Sequence, residues 1–247
     1  MVCHPRVIHP GTTMTSFLAL IKKDFRSYFN SPIGLVAIAL FLFITGFAFT
    51  AHLTQVNPHN LPEASLRGIL YFMAVILLFI CPFLSMRGFA EERKSGTIEL
   101  LKTAPLTDTE LVFGKYLASL FFLFLLLLAT VEYPLILLVT GAPDKGPLFL
   151  SYLGLFLVGA SFLAAGLFAS SLTRSQMMAA VVTFVLLLTL WFLADVGGEI
   201  GEKISLISHL QSFSLGVFDL ADIVYYLFFI AFFLFLTIRN LESERWR

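Results

Sequence analysis

The chain has 247 residues, of which 58% are hydrophobic and only 13% are charged, and its formal net charge is zero. Soluble domains carry about 25% charged residues, so the composition excludes an ordinary soluble protein and indicates an integral membrane protein. A balanced charge also gives no overall basic character that would favour nucleic acid as a partner.

The first residues, 1–13, lack the apolar core of a secretory signal. Met14 follows them directly. We interpret residues 1–13 as a disordered tail, or as a start placed upstream of the true one at Met14. The sequence leaves open which methionine begins the protein.

Apolar residues recur at helical spacing from Ser16 to Phe29, with Lys22, Lys23 and Arg26 on the remaining face. The apolar members are Phe17, Leu18, Ile21, Phe25, Tyr28 and Phe29. This pattern predicts an interfacial helix over residues 14–31 that lies along the cytoplasmic leaflet, with its lysines towards the lipid headgroups. A soluble amphipathic helix is the alternative.

Six apolar runs are long enough to cross a hydrocarbon core of roughly 30 Å. Ser31 and Pro32 supply an N-cap and a first-turn proline for the first run. The runs cover residues 33–53, 68–84, 117–140, 148–172, 177–193 and 223–238. The sequence therefore predicts an all-α polytopic membrane protein whose residues 32–247 form one domain with six transmembrane helices.

The Lys and Arg residues are distributed unevenly between the two sides that these spans define. Thirteen of the sixteen fall on one side, and Arg67, Lys145 and Lys203 fall on the other. Because cytoplasmic loops are enriched in Lys and Arg, this bias predicts that both termini and the segment 89–116 lie in the cytoplasm.

The segment 89–116 is the longest well-charged stretch of the chain. Thr97 can cap a short helix that carries Ile98, Leu100 and Leu101 and ends at Pro105. Thr107 and Glu110 form a capping box for the next helix, which continues without a break into the third span. A displacement of the segment would then be transmitted into the bilayer along this rigid helix. A solvated loop is the alternative.

Two further features concern the packing of the spans. The long outer connection, residues 194–222, contains an apolar patch at 204–210 that predicts short re-entrant helices before the last span, with a surface loop as the alternative. Gly154, Gly159 and Gly166 make the fourth span rich in small residues, which favours close helix packing.

Glu132 is the only acid well inside a span. An acid near the bilayer centre costs a few kcal/mol, so we expect it to face protein or water. Tyr133 and Pro134 follow it, where a kink is expected. Glu132 and Tyr133 are therefore candidates for a translocation path, with a structural hydrogen bond to a neighbouring helix as the alternative.

The chain has no phosphate loop, no nucleophile elbow and no H-E-x-x-H pair. We therefore predict no catalytic residues, no enzyme activity and no ATPase site of its own. The five histidines show no ligand spacing on one element, so no metal site is expected. If energy is used, a partner supplies it.

Four stretches carry a family resemblance: KKDFRSYFNSP at Lys22–Pro32, EERKSGTIELLKTAPLTDTELVFGKYLA at Glu91–Ala118, SLTRSQ at Ser171–Gln176 and SHLQSFSLGVFDLADIVYY at Ser208–Tyr226. With six matching spans, they cover nearly everything from Met14 onward. The chain resembles the ABC-2-type permeases, the membrane subunits of ABC transporters, and within them the gliding-motility permease subfamily.

The resemblance implies that the helix before the first span is a connecting helix and that residues 97–103 form a coupling helix seated on an ABC ATPase subunit. That ATPase subunit would bind ATP and Mg, so the chain needs no cofactor of its own. The implied coupling residues are Glu91, Glu92, Gly96, Thr97, Glu99, Leu100 and Leu101. A second permease protomer is implied as a partner, with an accessory membrane or periplasmic subunit as a further one.

Two functions remain in competition. The leading one is the permease half of an ATP-driven exporter in the bacterial inner membrane. The rival is a non-transporting scaffold or mechanotransmission subunit, driven by the same ATPase, that moves no solute. The sequence leaves open the substrate, the direction of transport and whether the permease pairs with itself.

Overall fold

The computed structural model describes residues 10–55, 62–97, 107–140 and 145–245. These ranges contain eleven helices and no strand. The helices are α1 (Pro10–Asn30), α2 (Pro32–Gln55), α3 (Pro62–Ser85), α4 (Ala90–Ser95), α5 (Asp108–Leu128), α6 (Glu132–Thr140), α7 (Lys145–Leu172), α8 (Gln176–Val196), α9 (Gly198–Ile204), α10 (Leu206–Ser214) and α11 (Leu220–Arg245).

Six stretches of the described chain are long and apolar enough to cross a membrane. They belong to α2, α3, α5 with α6, α7, α8 and α11, so the predicted all-α polytopic fold is confirmed. The first begins as predicted, because the Ser31 hydroxyl accepts a hydrogen bond from the Ile33 backbone N–H at 3.2 Å.

The third span is two helices rather than the single rod that the run 117–140 predicted. α5 ends at Leu128 and α6 begins at Glu132. The physical cause is Pro134, which has no N–H for the Thr130 carbonyl and whose ring crowds that carbonyl. The Thr130 carbonyl accepts instead from the Tyr133 backbone N–H at 3.1 Å and from the hydroxyl of Tyr152 on α7 at 2.9 Å. The predicted kink is therefore a full break that begins before the proline.

The spans divide into an inner and a peripheral set. Within the chain, the α3, α5–α6 and α7 spans are 72%, 61% and 67% buried, whereas those of α2, α8 and α11 are each 28% buried. The small residues of α7 allow the close contacts, as predicted. A Cβ at Gly159 would lie 2.8 Å from Leu123, and one at Gly166 would lie 2.0 Å from the Ser85 hydroxyl.

α1 packs along the first half of α5. It begins at Pro10 rather than at Met14 and ends at Asn30. Leu20 is buried and would lie 2.8 Å from a Cβ at Gly114 of α5. Leu18, which the predicted apolar face included, is 57% exposed. The buried face is thus rotated slightly from the predicted one.

The two short helices expected before the last span are present as α9 and α10. Ser205 caps α10 by accepting a hydrogen bond from the Ile207 backbone N–H at 3.3 Å. Phe213 of α10 is buried and lies 2.7 Å from where a Cβ at Gly154 of α7 would stand. We call the side of the bundle with α4 the α4 end, and the side with α9 and α10 the far end.

Candidate functional site

The candidate site is built on α4, a helix of six residues whose charges are ordered along its axis. Glu91 and Glu92 lie in the first turn, and Arg93 and Lys94 in the last. This order complements the helix dipole. The helix ends at Gly96, whose φ of +73° lies in the left-handed region that glycine adopts without strain.

A buried ion cluster joins α4 to two other helices. The Lys115 Nζ of α5 lies 2.7 Å from Glu92 Oε1 on α4 and 3.2 Å from Asp24 Oδ2 on α1. The side chain of Lys115 is only 4% exposed. Lys23, on the rim, lies 3.8 Å from Glu92 Oε1 and balances the second acid. Because removal of one partner would leave a buried charge unpaired, this cluster resists sliding of α4 against α1 or α5.

Ser170 of α7 holds the turn that leads into α4. Its hydroxyl oxygen accepts hydrogen bonds from the backbone N–H groups of Phe89 and Ala90, each at 3.0 Å. The same hydroxyl donates to the Met86 carbonyl at 3.2 Å. One serine therefore uses its single donor and both acceptor sites on one turn, and fixes α4 to the inner set of spans.

A polar cavity of about 240 Å³ opens between α1, the α3–α4 turn and α5. Arg87 and Glu91 line it and form an ion pair, with Arg87 Nε 2.9 Å from Glu91 Oε2. Tyr28 also lines it and donates to the Leu84 carbonyl at 3.4 Å. Burial raises the pKa of the Tyr28 hydroxyl, so it stays neutral. The cavity is a balanced polar pocket rather than a site of one charge.

The helix after this site begins with the predicted capping box. The Thr107 hydroxyl accepts from the Glu110 backbone N–H at 3.2 Å, and Glu110 Oε2 accepts from the Thr107 backbone N–H at 2.8 Å. α5 then runs unbroken through Lys115 to Leu128. One continuous helix therefore connects the charged segment 89–116 to the third span, as far as the break after Leu128.

The structure brings four of the proposed coupling residues together around α4. Glu92 lies in the ion cluster, Glu91 pairs with Arg87, and Gly96 ends the helix. The Thr97 hydroxyl lies 2.8 Å from that of Ser95. The structure does not describe residues 98–106. This range contains the other three proposed coupling residues, Glu99, Leu100 and Leu101, and the helix expected between Thr97 and Pro105.

The two candidates for a translocation path are not brought together. Tyr133 is buried, its hydroxyl lies 3.1 Å from Thr45 Oγ1 on α2, and its ring stacks on Phe49 at 4.8 Å. Glu132, one residue earlier, is exposed at the start of α6. The tyrosine therefore fastens α6 to α2, and the acid faces away from that contact.

Asp24, Lys115 and Ser170 were missed by the sequence reasoning. Asp24 is the single acid within the basic face of the first helix, and Lys115 is a lone cation one helical turn and a half beyond the capping box. An isolated acid on one helix and an isolated base on another can indicate a buried ion pair where the two helices pack together. Nothing in the sequence marks Ser170, because a serine near the end of an apolar helix is common.

A second polar cluster lies at the far end. His209 Nδ1 of α10 is 2.6 Å from Asp222 Oδ1 of α11, and the Tyr225 ring stacks on the imidazole at 4.0 Å. The Tyr226 hydroxyl donates to the Leu206 carbonyl at 2.6 Å. These contacts hold α10 against α11. In the part of the chain that the structure describes, no group of three or more His, Cys, Asp or Glu could hold a metal ion.

Six membrane-length helices, a short charged helix at one end and two short helices before the last span define a polytopic membrane protein. The model of the ABC-2 family transporter proteins matches residues 18–234. The chain therefore belongs to the ABC-2 family and is a membrane-spanning subunit of an ABC transporter, which works with a separate ABC ATPase. No curated protein matches the chain.

Proposed function

We propose that this subunit couples ATP hydrolysis by its partner ATPase to export of a substrate across the bacterial inner membrane. α4 and the residues that follow it form the contact with the ATPase. The observation that carries the proposal is the buried ion cluster, because it fastens α4 to both α1 and α5 through the single ammonium of Lys115.

The exposed end of α4 and the two residues after it are suited to a transient protein contact. Lys94, Ser95, Gly96 and Thr97 are all exposed and polar or small, while Glu92 on the opposite side is buried. A partner that presses on the exposed face would move Glu92, and Glu92 cannot leave Lys115 without exposing an unpaired buried charge. The movement is therefore passed to α5, a rod of about 30 Å.

The charge distribution supports a cytoplasmic position for the α4 end, since thirteen of the sixteen Lys and Arg residues lie on that side of the spans. Both termini would then be cytoplasmic. ATP and Mg would be bound by the ATPase alone. Membership of the gliding-motility permease subfamily stays a prediction, as does an accessory or periplasmic subunit.

A second permease protomer completes the proposal. α2 and α8 flank α3 and, with α11, are the least buried spans. Apolar side chains such as Phe43, Phe47 and Phe192 are more than half exposed on them. We propose that α2, α3 and α8 of two protomers form the central path, and that lipid covers the remaining apolar faces.

The first test is purification in mild detergent followed by native mass spectrometry. We expect an ABC ATPase subunit bound in a one-to-one ratio with this chain. A permease that carries only partners without an ATP site would contradict the proposal. Substrate-stimulated ATPase activity in liposomes then separates export from the scaffold function, in which an outer protein is bound and no substrate stimulates hydrolysis.

The second test breaks the contact at Gly96. Proline holds φ near −65° and cannot adopt the φ of +73° found there, so Gly96→Pro should leave ATP hydrolysis uncoupled from transport while the protein still inserts in the membrane. Gly198→Pro is the matched control, since Gly198 also has a positive φ and open space but lies at the far end. Unchanged transport by Gly96→Pro would refute the coupling role.

A further inference from the structure

A second cavity, of about 540 Å³, lies at the break between α5 and α6, against the first turns of α7. It is much larger than the polar cavity at the α4 end, and its lining is of a different kind. Its walls include Leu128, Val131 and Leu135 from the break, and Phe149, Leu153 and Phe156 from α7. A cavity of this size falls in the range of ligand sites, about 300–1,000 Å³.

The cavity is lined by apolar side chains, and the Thr130 carbonyl at the break beside it is paired. Pro134 has no N–H to donate to the Thr130 carbonyl, which accepts from the Tyr133 backbone N–H at 3.1 Å and from the Tyr152 hydroxyl at 2.9 Å instead. The ring of Tyr152 therefore lines the cavity, while its hydroxyl forms a hydrogen bond at the break. The walls are hydrocarbon and aromatic surface, which neither holds water nor stabilises a charged ligand.

The depth of the cavity in the bilayer shows whether it opens to water or to lipid. If α5 enters the hydrocarbon core at Leu117, a rise of 1.5 Å per residue places Phe124 about 10 Å and Leu128, at the end of α5, about 16 Å into it. The cavity thus begins near the midplane of a core of roughly 30 Å, and the lining residues after Leu128 lie in the half of the bilayer away from α4. Leu128 and Phe149 at its mouth are 52% and 71% exposed, so it opens sideways into lipid.

We propose that the cavity binds one acyl chain of a phospholipid from the leaflet opposite α4. Acyl chains are the apolar molecules present at this depth, and an empty cavity would forfeit dispersion contacts along its whole wall. The bound chain would pack between α6 and α7 and so hold open the angle at the α5–α6 break. The site is independent of the coupling role proposed for α4.

The experiment uses the full-length protein, with its bound ATPase, in nanodiscs of phosphatidylcholine that carries a photoreactive diazirine on one acyl chain. After irradiation, labelled peptides are located by mass spectrometry. We expect labelling of residues 124–135 and 148–156 to exceed that of residues 227–235 on α11 several-fold. The α11 peptide is the internal reference, because its Leu227, Phe228 and Phe235 are also more than half exposed.

Variants at Leu153 test whether the cavity itself is responsible. Leu153→Trp fills it and should lower the label on both lining peptides several-fold, whereas Leu153→Ala enlarges it and should keep the label. Leu188→Trp, at a partly buried leucine of α8, is the matched control and should have no effect on the lining peptides.

Two results would overturn the proposal. The first is equal labelling of the lining and reference peptides in the wild type and in Leu153→Ala, which means that the cavity holds no chain distinct from bulk lipid. The second is protein-to-protein crosslinks between two copies at residues 148–156 with no lipid adduct there, which means that a second copy covers the cavity. The wild-type ratio decides the matter even if Leu153→Trp fails to fold.

Discussion

The two ends of this protein hold their helices together by different physical means. At the α4 end the contacts are ionic and buried: one lysine of α5 bonds acids from α1 and α4. At the far end the helices meet through apolar side chains, a His209–Asp222 pair and a helix break beside a large dry cavity. Charged contacts are directional and costly to separate, whereas apolar contacts can be repacked. Under the proposed function, the first end would transmit displacement and the second would accommodate it.

The break between Leu128 and Glu132 separates the α4 end of the third span from its far end. A displacement that enters α5 at Lys115 is carried by continuous backbone hydrogen bonds as far as Leu128. Beyond it, α6 is fastened separately to α2 through Tyr133. The third span is therefore rigid from the α4 end to Leu128 and jointed beyond it.

The largest expected effect comes from breaking the ion cluster. Lys115→Met removes the cation shared by the buried carboxylate of Glu92 and the partly buried one of Asp24 and leaves only the exposed Lys23 beside Glu92, so the free energy of unfolding should fall by about 3 kcal/mol. The measurement is reversible unfolding in mixed micelles at neutral pH. Combining Lys115→Met with Glu92→Gln should recover part of the loss.

Lys22→Met is the control for this prediction, because Lys22 lies on the exposed face of α1. It should change stability by less than about 1 kcal/mol. A Lys115→Met variant as stable as Lys22→Met would show that the cluster does not hold α4 in place.

The next effect concerns the close packing of α7 near the α4 end. A Cβ at Gly166 would lie 2.0 Å from Ser85 Oγ and 2.5 Å from Ser85 Cβ, so Gly166→Ala must push α3 and α7 apart. Overpacking of this kind should cost about 3 kcal/mol, measured by the same unfolding assay. Gly146→Ala, where nothing lies within 4 Å, should have little effect; equal losses from both variants would contradict the packing described for α7.

A smaller effect is expected at the far end. His209→Phe keeps an aromatic ring against Tyr225 but removes the nitrogen that bonds Asp222 Oδ1. Since Asp222 Oδ2 is already buried without a hydrogen-bond partner, the change should lower stability by about 2 kcal/mol. Hydrogen exchange should increase in α10 and leave α4 unchanged. Increased exchange at α4 would mean that the two ends are not mechanically separate.

The smallest effect is at the start of α5. Thr107→Ala removes the capping box and should cost about 1 kcal/mol, with faster hydrogen exchange confined to the first turn of α5. Thr189→Ala removes an exposed hydroxyl that bonds only within its own helix, at 2.8 Å from the Val185 carbonyl, and serves as the control. Identical exchange at α5 in both variants would show that the cap does not hold the helix start.

The elements could be predicted from the sequence where one local rule decided them. Six apolar runs of membrane length, the Thr107–Glu110 capping box and the small residues of α7 were each readable from residue types and spacing, and the structure contains all three. The kink at Pro134 in the third span was predicted, but not that the helix ends as early as Leu128, several residues before the proline.

The candidate site was only half predictable. Glu91, Glu92, Gly96 and Thr97 were grouped because they lie in one short motif that resembles that of the ABC-2-type permeases. Asp24 and Lys115 are 91 residues apart, and the pairing depends on α1 folding back along α5, which hydrophobic periodicity does not specify. Long-range pairing of single charges requires the packing of the helices to be known first.

The most direct test of the central claim is hydrogen–deuterium exchange on the purified complex with its ABC ATPase, compared without nucleotide and with a non-hydrolysable ATP analogue and Mg. If the ion cluster passes movement from the ATPase into the membrane, exchange should change together in α4 and in the first turns of α5, and the coupled change should be lost in Lys115→Met. Nucleotide-dependent changes in the ATPase with α4 and α5 unaltered in the wild type would contradict the coupling role of this site.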